Sequence, residues 1–335
     1  MFRVLRSCLR GHAGLMAAAA LALALPSAGP ARAATLPVVA SFSILGDMVH
    51  EIGGDHVSVT TIVGPNGDAH SFEPAPKDAK ALARARLLFI NGLSFESWLP
   101  RLKKAAGFKG VTIVASKGVE PRTLSDQELA EATHATPAGH AGPGHASATA
   151  GAIDPHAWQS LDNGIIYAQN IAAGLAQADP ANAADYYARA KTYMQKMKAL
   201  NIQLKTQFEA IPASRRKVVT SHDAFGYFGR AYGIRFIAAQ GLSEEAQPSA
   251  REIAAIIDQV KKDHVPAVFI ENITSPKLVQ RIAQETGAKV GGTLYSDALA
   301  APGQPAGTYL GMFRWNAAQL LAAFQPAGKR PGKKK

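Results

Sequence analysis

The chain has 335 residues, 47% hydrophobic and 18% charged, which is enough for two domains with well-filled cores. Its net charge of +11 lies mainly at the ends, since four arginines in residues 1–33 and five basic residues in 329–335 leave only +2 for the rest. A nearly neutral body with 7% aromatic residues and no basic stripe excludes a nucleic-acid-binding function, so we expect no nucleic-acid partner.

The first 33 residues have the pattern of a secretory signal peptide. Basic residues come first, an apolar run covers 15–25, and small residues flank Arg32. The apolar run is shorter than the roughly 20 residues that a membrane-spanning helix needs. We therefore predict a signal peptide over 1–33, cleavage after Ala33, and export to the periplasm.

Cys8 is the only cysteine, and it precedes the apolar run. A cysteine on that side of the run is not placed to carry a lipid after cleavage, so the sequence predicts a protein that is not lipidated. A chain cleaved after Ala33 would retain no cysteine. Any metal ion it binds would then be held by nitrogen and oxygen atoms.

Strand and helix patterns alternate over residues 34–179, which we assign to a first lobe. Residues 77–85 have helical periodicity, and short β-rich apolar runs predict strands at Val38–Phe42, Val57–Val63, Leu87–Ile90 and Val111–Val114. Residues 131–153 consist mostly of Ala, Gly, His, Pro, Ser and Thr, and their composition predicts a flexible loop inserted in this lobe.

Apolar residues then recur at helical spacing over 180–211, which predicts one long linking helix. Asp179 is a candidate N-cap, Pro180 suits a first turn, and Pro212 ends the pattern. At 1.5 Å per residue such a helix is roughly 45 Å long and could cross a whole domain.

The alternation resumes over residues 212–326, which we assign to a second lobe, followed by a basic disordered tail at 327–335. Helices are predicted at 249–263, 276–286 and 309–324, and strands at Lys217–Thr220, Arg235–Ala238, Ala267–Glu271 and Lys289–Leu294. The predicted fold class is therefore α/β, with two lobes that each contain a parallel sheet covered by helices, joined by one long rigid helix.

Four polar residues stand out, two from each half of the chain: His70, His156, His222 and Asp297. At least three of them follow predicted strands, where open parallel sheets bind ligands. Three imidazoles and one carboxylate form a complete tetrahedral set for Zn²⁺, with Mn²⁺ as the alternative ion. Each residue also has an ordinary interpretation, because loop histidines are often surface groups and an Asp after a strand often caps a helix.

The chain resembles the metal-specific periplasmic solute-binding proteins of ABC importers, known as cluster A-I, whose fold is called TroA-like or the helical backbone metal receptor. The resemblance covers almost the whole chain after residue 33, and its segments include SFSILGDMV, GPNGDAHSFEP, FINGLSFESWL, DPHAW, TSHDAFGYF, VFIENITSPKLVQRIAQETGAKVGG and LYSDAL. The combination is specific, although any one segment alone is a weak match.

The resemblance implies metal ligands at His70, His156, His222 and Asp297, the four residues already selected. Manganese-type members have Glu at the third position, so His222 indicates the zinc type. Zinc-type members often carry a His-rich loop before the second ligand, and His134, His140 and His145 lie there. This loop either collects metal or docks a periplasmic metal chaperone, or it is only a spacer.

The predicted function is capture of Zn²⁺ between two lobes and delivery to the permease of an ABC importer, by a monomer that is not an enzyme. A zinc hydrolase is the first alternative, but four protein ligands leave no position for a catalytic water, and no HExxH motif is present. A surface adhesin is the second alternative. Glu73, Asn91 and Glu96 are candidates for orienting the ligands, while Trp98 and Trp158 are expected to be packing residues.

Overall fold

The computed structural model describes residues 35–123, 152–242 and 248–325. The predicted signal peptide, the predicted loop up to residue 151 and the predicted tail lie outside these residues. Within the described ranges, no helix combines the length and apolarity needed to cross a bilayer.

The first sheet is parallel and has the strand order β2-β1-β3-β4. Its strands are β1 (Leu36–Phe42), β2 (Val57–Val63), β3 (Leu87–Ile90) and β4 (Val111–Val114), and its helices are α1 (Ser43–Gly53), α2 (Pro76–Arg84) and α3 (Leu99–Ala106). Leu36 pairs with Val57, and Val38 pairs with Leu87. The inner strands are apolar and buried because helices cover both faces of such a sheet.

The second sheet is also parallel and repeats the same order, β6-β5-β7-β8. Its strands are β5 (Lys217–Thr220), β6 (Arg235–Ala238), β7 (Ala267–Glu271) and β8 (Lys289–Leu294). The pairing of β7 with β8 is irregular between Val268 and Ile270. In each sheet the strand order reverses at the two central strands, β1 and β3 or β5 and β7, and ligands bind at such switch points.

Two helices, α4 (Leu161–Ala178) and α5 (Ala183–Glu209), connect the sheets and pack against each other. The remaining helices are α6 (Gly226–Tyr232), α7 (Ala250–Lys262), α8 (Lys277–Thr286) and α9 (Tyr309–Phe324), and short 3₁₀ turns cover Gly54–His56, Ala157–Gln159, Pro180–Asn182 and Ala213–Arg215. The predicted fold class is confirmed: two parallel-sheet lobes are joined by a long helix.

The linking helix starts later than its sequence pattern suggests. Pro180 opens a 3₁₀ turn, and the α-helix begins at Ala183, because Asp179 accepts hydrogen bonds from Asn182 and Tyr186 instead of capping an α-helix. With 27 residues, α5 is about 40 Å long. One apolar cluster runs from Leu36 in the first sheet to Phe324 in α9, so the two lobes share a continuous core.

Asp47 lies half-buried on α1 and accepts a hydrogen bond of 2.8 Å from the backbone N–H of Tyr309, at the start of α9. Burial raises the pKa of Asp47 from 3.8 to about 7, against the opposing effect of that hydrogen bond, and Glu51 raises it further. The folded protein therefore binds this proton more tightly than the unfolded chain, and its stability should decrease as pH rises from about 4 to about 7.

We expect Asp47→Asn to remove most of this pH dependence. Between pH 5 and pH 8, the unfolding free energy of the unaltered protein should fall by about 2 kcal/mol more than that of the variant. Urea denaturation at both pH values measures the difference. Asp179→Asn is the matched control, because hydrogen bonds from Asn182 and Tyr186 lower the pKa of Asp179. An equal gain in both variants would show that the burial of Asp47 is not the cause.

Candidate metal centre

The four predicted site residues meet between the two sheets, although they come from distant parts of the chain. His70 lies in the segment after β2, and His156 directly precedes the 3₁₀ turn Ala157–Gln159. His222 follows β5, and Asp297 follows β8. One ligand atom from each of the four lies within 4.8 Å of the others. No other group of three or more His, Cys, Asp or Glu residues arranged to hold a metal ion occurs in the described ranges.

The distances between these atoms suit a small ion at their centre. The Nε2 atoms of His70 and His156 are 3.1 Å apart, and Oδ2 of Asp297 lies 3.2 Å from Nε2 of both His70 and His222. Oδ1 of Asp297 lies 3.6 Å from Nε2 of His156. Two ligand atoms on a tetrahedral zinc ion are about 3.4 Å apart, given bonds of about 2.0 to 2.1 Å.

The centre is closed to solvent on most sides. The side chains of His156, His222 and Asp297 are 0% exposed, and that of His70 is 9% exposed. Oδ1 of Asp297 has no hydrogen-bond donor among the described residues. A buried carboxylate oxygen without a donor is unfavourable, and a cation would satisfy it.

Two carboxylates outside the centre fix the orientation of two imidazoles. Asp154 accepts a hydrogen bond from the backbone N–H of His156, and its Oδ1 lies 2.8 Å from Nδ1 of the ring. Glu271 accepts from the backbone N–H of His222, and its Oε2 lies 2.7 Å from Nδ1 of that ring. A carboxylate beside Nδ1 holds the ring proton there, which leaves the lone pair of Nε2 directed at the centre.

Charges within the centre shift two pKa values. Burial alone would lower the pKa of His222, but the carboxylates of Glu271 and Asp297 outweigh it and raise the pKa well above its usual value. Burial alone would raise the pKa of Asp297, but His156 and His222 hold it well below its usual value. These carboxylates favour positive charge at the centre, which is the environment that a metal cation needs.

Aromatic side chains form the wall beside His70 and His156. The ring centroids of Phe42, Phe95 and Trp158 lie 4.7 to 5.1 Å from one another, and all three side chains are buried. The ring of His70 packs edge-on against Phe95 at 4.7 Å. This wall keeps water away from the centre and strengthens electrostatic interactions within it.

Both tryptophans near the centre also hold the backbone next to a candidate ligand. The indole N–H of Trp98 donates to the carbonyl of Ala69, which precedes His70. The indole N–H of Trp158 donates to the carbonyl of Ser296, which precedes Asp297. These two residues therefore do more than fill space, and the sequence analysis missed this role.

The candidates for orienting the ligands have different positions. Glu73 is exposed. Asn91 donates to the carbonyl of Pro155, beside His156, and Glu96 accepts from Ser41 and from the backbone of Asn91 and Gly92. Asn91 and Glu96 thus support the backbone rather than an imidazole, and it is Asp154 and Glu271 that contact the rings. His134, His140 and His145 lie outside the described residues.

This arrangement has the geometry of a metal-binding centre between two lobes. The model of one protein family, described as zinc-uptake complex component A, periplasmic, matches residues 38–323. The chain belongs to this family, whose members are the substrate-binding components of metal ABC importers and not enzymes. They work with a membrane permease and its ATPase.

Individual relatives agree with this assignment. The chain is 31% identical over 287 residues to the manganese ABC transporter substrate-binding lipoprotein PsaA of Streptococcus pneumoniae, covering 84% of this chain and 86% of the relative. It is 31% identical over 288 residues to the iron-binding protein YfeA of Yersinia pestis, covering 86% of each. The structure of the periplasmic zinc-binding protein TroA from Treponema pallidum matches with a TM-score of 0.76 and 26% identity, covering 88% of this chain and all of that one.

The comparisons contradict the prediction that the protein is not lipidated. Several of the relatives are named lipoproteins, among them those of Streptococcus sanguinis, Streptococcus cristatus and Halalkalibacterium halodurans. That prediction rested only on the position of Cys8, which lies outside the described residues. It is therefore wrong on this comparison, whereas a location on the outer side of the membrane agrees with the family.

Proposed function

We propose that the protein captures Zn²⁺ between its two lobes through His70, His156, His222 and Asp297 and delivers it to an ABC importer. The names of the relatives mention manganese, iron and zinc, so the choice of ion rests on this chain's own donor atoms. Three imidazoles and one carboxylate match zinc, whereas manganese favours more oxygen ligands. The observation that carries the proposal is the close approach of these four side chains in a buried centre.

Charge and burial support capture of the ion without its water shell. Three of the four side chains are fully buried, and only His70 retains contact with solvent.

The segment that carries His70 is held to the second lobe by two contacts: the backbone N–H of Asn66 donates to the carbonyl of Leu299, and Asn272 donates to the side chain of Asn66. Release to the importer would require these contacts to break.

The choice of zinc is best tested by the ratio of the zinc and manganese dissociation constants. Zinc exceeds manganese at most nitrogen and oxygen sites, so the unaltered protein must be compared with His222→Glu. We expect the variant to shift the ratio toward manganese by at least about tenfold, because a carboxylate replaces an imidazole. Competition titrations of metal-free protein measure both constants.

His50→Glu is the matched control, since His50 is exposed on α1 and is not one of the four centre residues. The control should leave the ratio unchanged. Manganese binding tighter than zinc in the unaltered protein, or an unchanged ratio in His222→Glu, would refute the choice of zinc.

A further inference from the structure

Glu271 occupies a central position in the second lobe. It is the last residue of β7, which lies between β5 and β8, the strands that lead to His222 and Asp297. Its side chain is buried, with 1% of the residue exposed. Glu271 is therefore placed to act on a ligand of the centre without entering it.

Glu271 holds His222 at two points. Its Oε1 accepts a hydrogen bond of 3.0 Å from the backbone N–H of His222, and its Oε2 lies 2.7 Å from Nδ1 of the ring. Neither Oε2 nor Nδ1 has another polar partner among the described residues. A carboxylate only accepts hydrogen bonds, so its place beside Nδ1 favours a ring proton there and leaves Nε2 to bind the ion.

The equivalent contact in the first lobe has one more partner. Asp154 holds His156 in the same two-point manner, but its Oδ2 also forms an ion pair of 2.8 Å with Nη1 of Arg122. The described residues include no lysine or arginine that pairs with Glu271. Within the described ranges, the side chain of Glu271 makes polar contacts only with His222.

The two carboxylates lie at opposite nitrogens of the His222 ring. Oε2 of Glu271 lies 2.7 Å from Nδ1, and Oδ2 of Asp297 lies 3.2 Å from Nε2. A metal ion at the centre would bind Nε2 while Glu271 keeps its contact with Nδ1.

We propose that Glu271 is a positioning residue that presents Nε2 of His222 to the ion. The inference rests on the proposed function, because it requires His222 and Asp297 to be ligands. It differs from a purely structural role, in which Glu271 would stabilise the fold irrespective of metal.

The decisive variant is Glu271→Gln, which keeps the shape and removes the charge. The new amide can donate to Nδ1 of His222 and so favours the tautomer that carries its proton on Nε2, which cannot bind metal. We expect its Zn²⁺ affinity to fall roughly ten- to hundredfold, the usual effect of losing such a partner.

Two further variants separate the explanations. Asp154→Asn should lower the melting temperature of the metal-free protein, because it breaks the buried ion pair of 2.8 Å between Asp154 and Arg122. Glu271→Asp keeps the charge but shortens the reach to Nδ1, so it should also weaken Zn²⁺ binding. Unchanged affinity in Glu271→Asp would remove the positioning role.

The unaltered protein and His222→Ala are titrated with Zn²⁺ alongside these variants. If the unaltered protein does not bind Zn²⁺, or His222→Ala binds it equally well, the proposed function fails. If both behave as expected but Glu271→Gln binds within twofold of the unaltered protein, only the present inference fails. A Glu271→Gln variant that is less stable without metal and binds normally would indicate the structural role instead.

Discussion

Replacing His222 by alanine is expected to weaken Zn²⁺ binding by about a hundredfold or more. Zinc binding by four protein ligands is worth about 10 to 16 kcal/mol, so one ligand contributes on average about 3 kcal/mol. The loss is not limited to one bond, because Glu271 and Asp297 both contact the ring of His222 and would lose that partner. Competition with a fluorescent zinc chelator measures the change.

Deletion of residues 131–151 is the control for the His222→Ala prediction. The deletion removes His134, His140 and His145, and the remaining residues suffice to connect Thr123 with Ile153, which pair with each other. We expect the affinity of the first bound ion to change by less than about threefold, since none of the four centre residues is removed. Equal losses in the two variants would mean that the primary site has been misplaced.

The strands were the most predictable part of the fold. Seven of the eight described strands have the predicted bounds, and β1 begins at Leu36 instead of Val38. They are short runs of β-branched and aliphatic residues separated by polar segments, so the pattern alone predicts them. Their order in each sheet was not predictable in the same way, because it depends on contacts between distant runs.

Several helices were not predicted, and the reasons are local. The helix α1 begins directly after β1, and Phe42 at its N-cap position makes no side-chain hydrogen bond, so no sequence signal separates the two elements. The helix α6 has only seven residues. By contrast, α4 begins at a conventional cap, where Ser160 accepts from the backbone of Asn163, and this signal could have revealed it.

The sequence analysis selected the four centre residues but missed the carboxylates beside them. Asp154 stands two residues before His156, so a side-chain contact with the ring could have been anticipated from the sequence. Glu271 is 49 residues from His222, and the two meet only because β7 lies next to β5. The one sequence feature that could have indicated Glu271 is its position as an acidic residue at the end of an apolar strand.

Trp158 contributes both to the stability of the protein and to the position of a centre residue. Of the proposed variants, Trp158→Ala should lower the unfolding free energy the most. The side chain is fully buried against Phe42 and Phe95, and its indole N–H donates to the carbonyl of Ser296 at 2.8 Å. Removing a buried tryptophan typically costs about 3 to 5 kcal/mol. Urea denaturation of the metal-free protein measures this loss.

A matched pair of milder variants separates packing from positioning. Trp158→Phe and Trp315→Phe each remove one indole hydrogen bond to a carbonyl, to Ser296 and to Thr293 respectively, at 2.8 Å in both cases. Trp315→Phe, at a half-buried site, should lower the unfolding free energy by about 1 kcal/mol, and Trp158→Phe should lower it by more, because it also leaves a cavity at a fully buried site. Only Trp158→Phe should also weaken Zn²⁺ binding, because Ser296 adjoins Asp297 while Thr293 lies within β8. If the two variants bind Zn²⁺ equally well, the indole of Trp158 stabilises the fold without positioning the carboxylate.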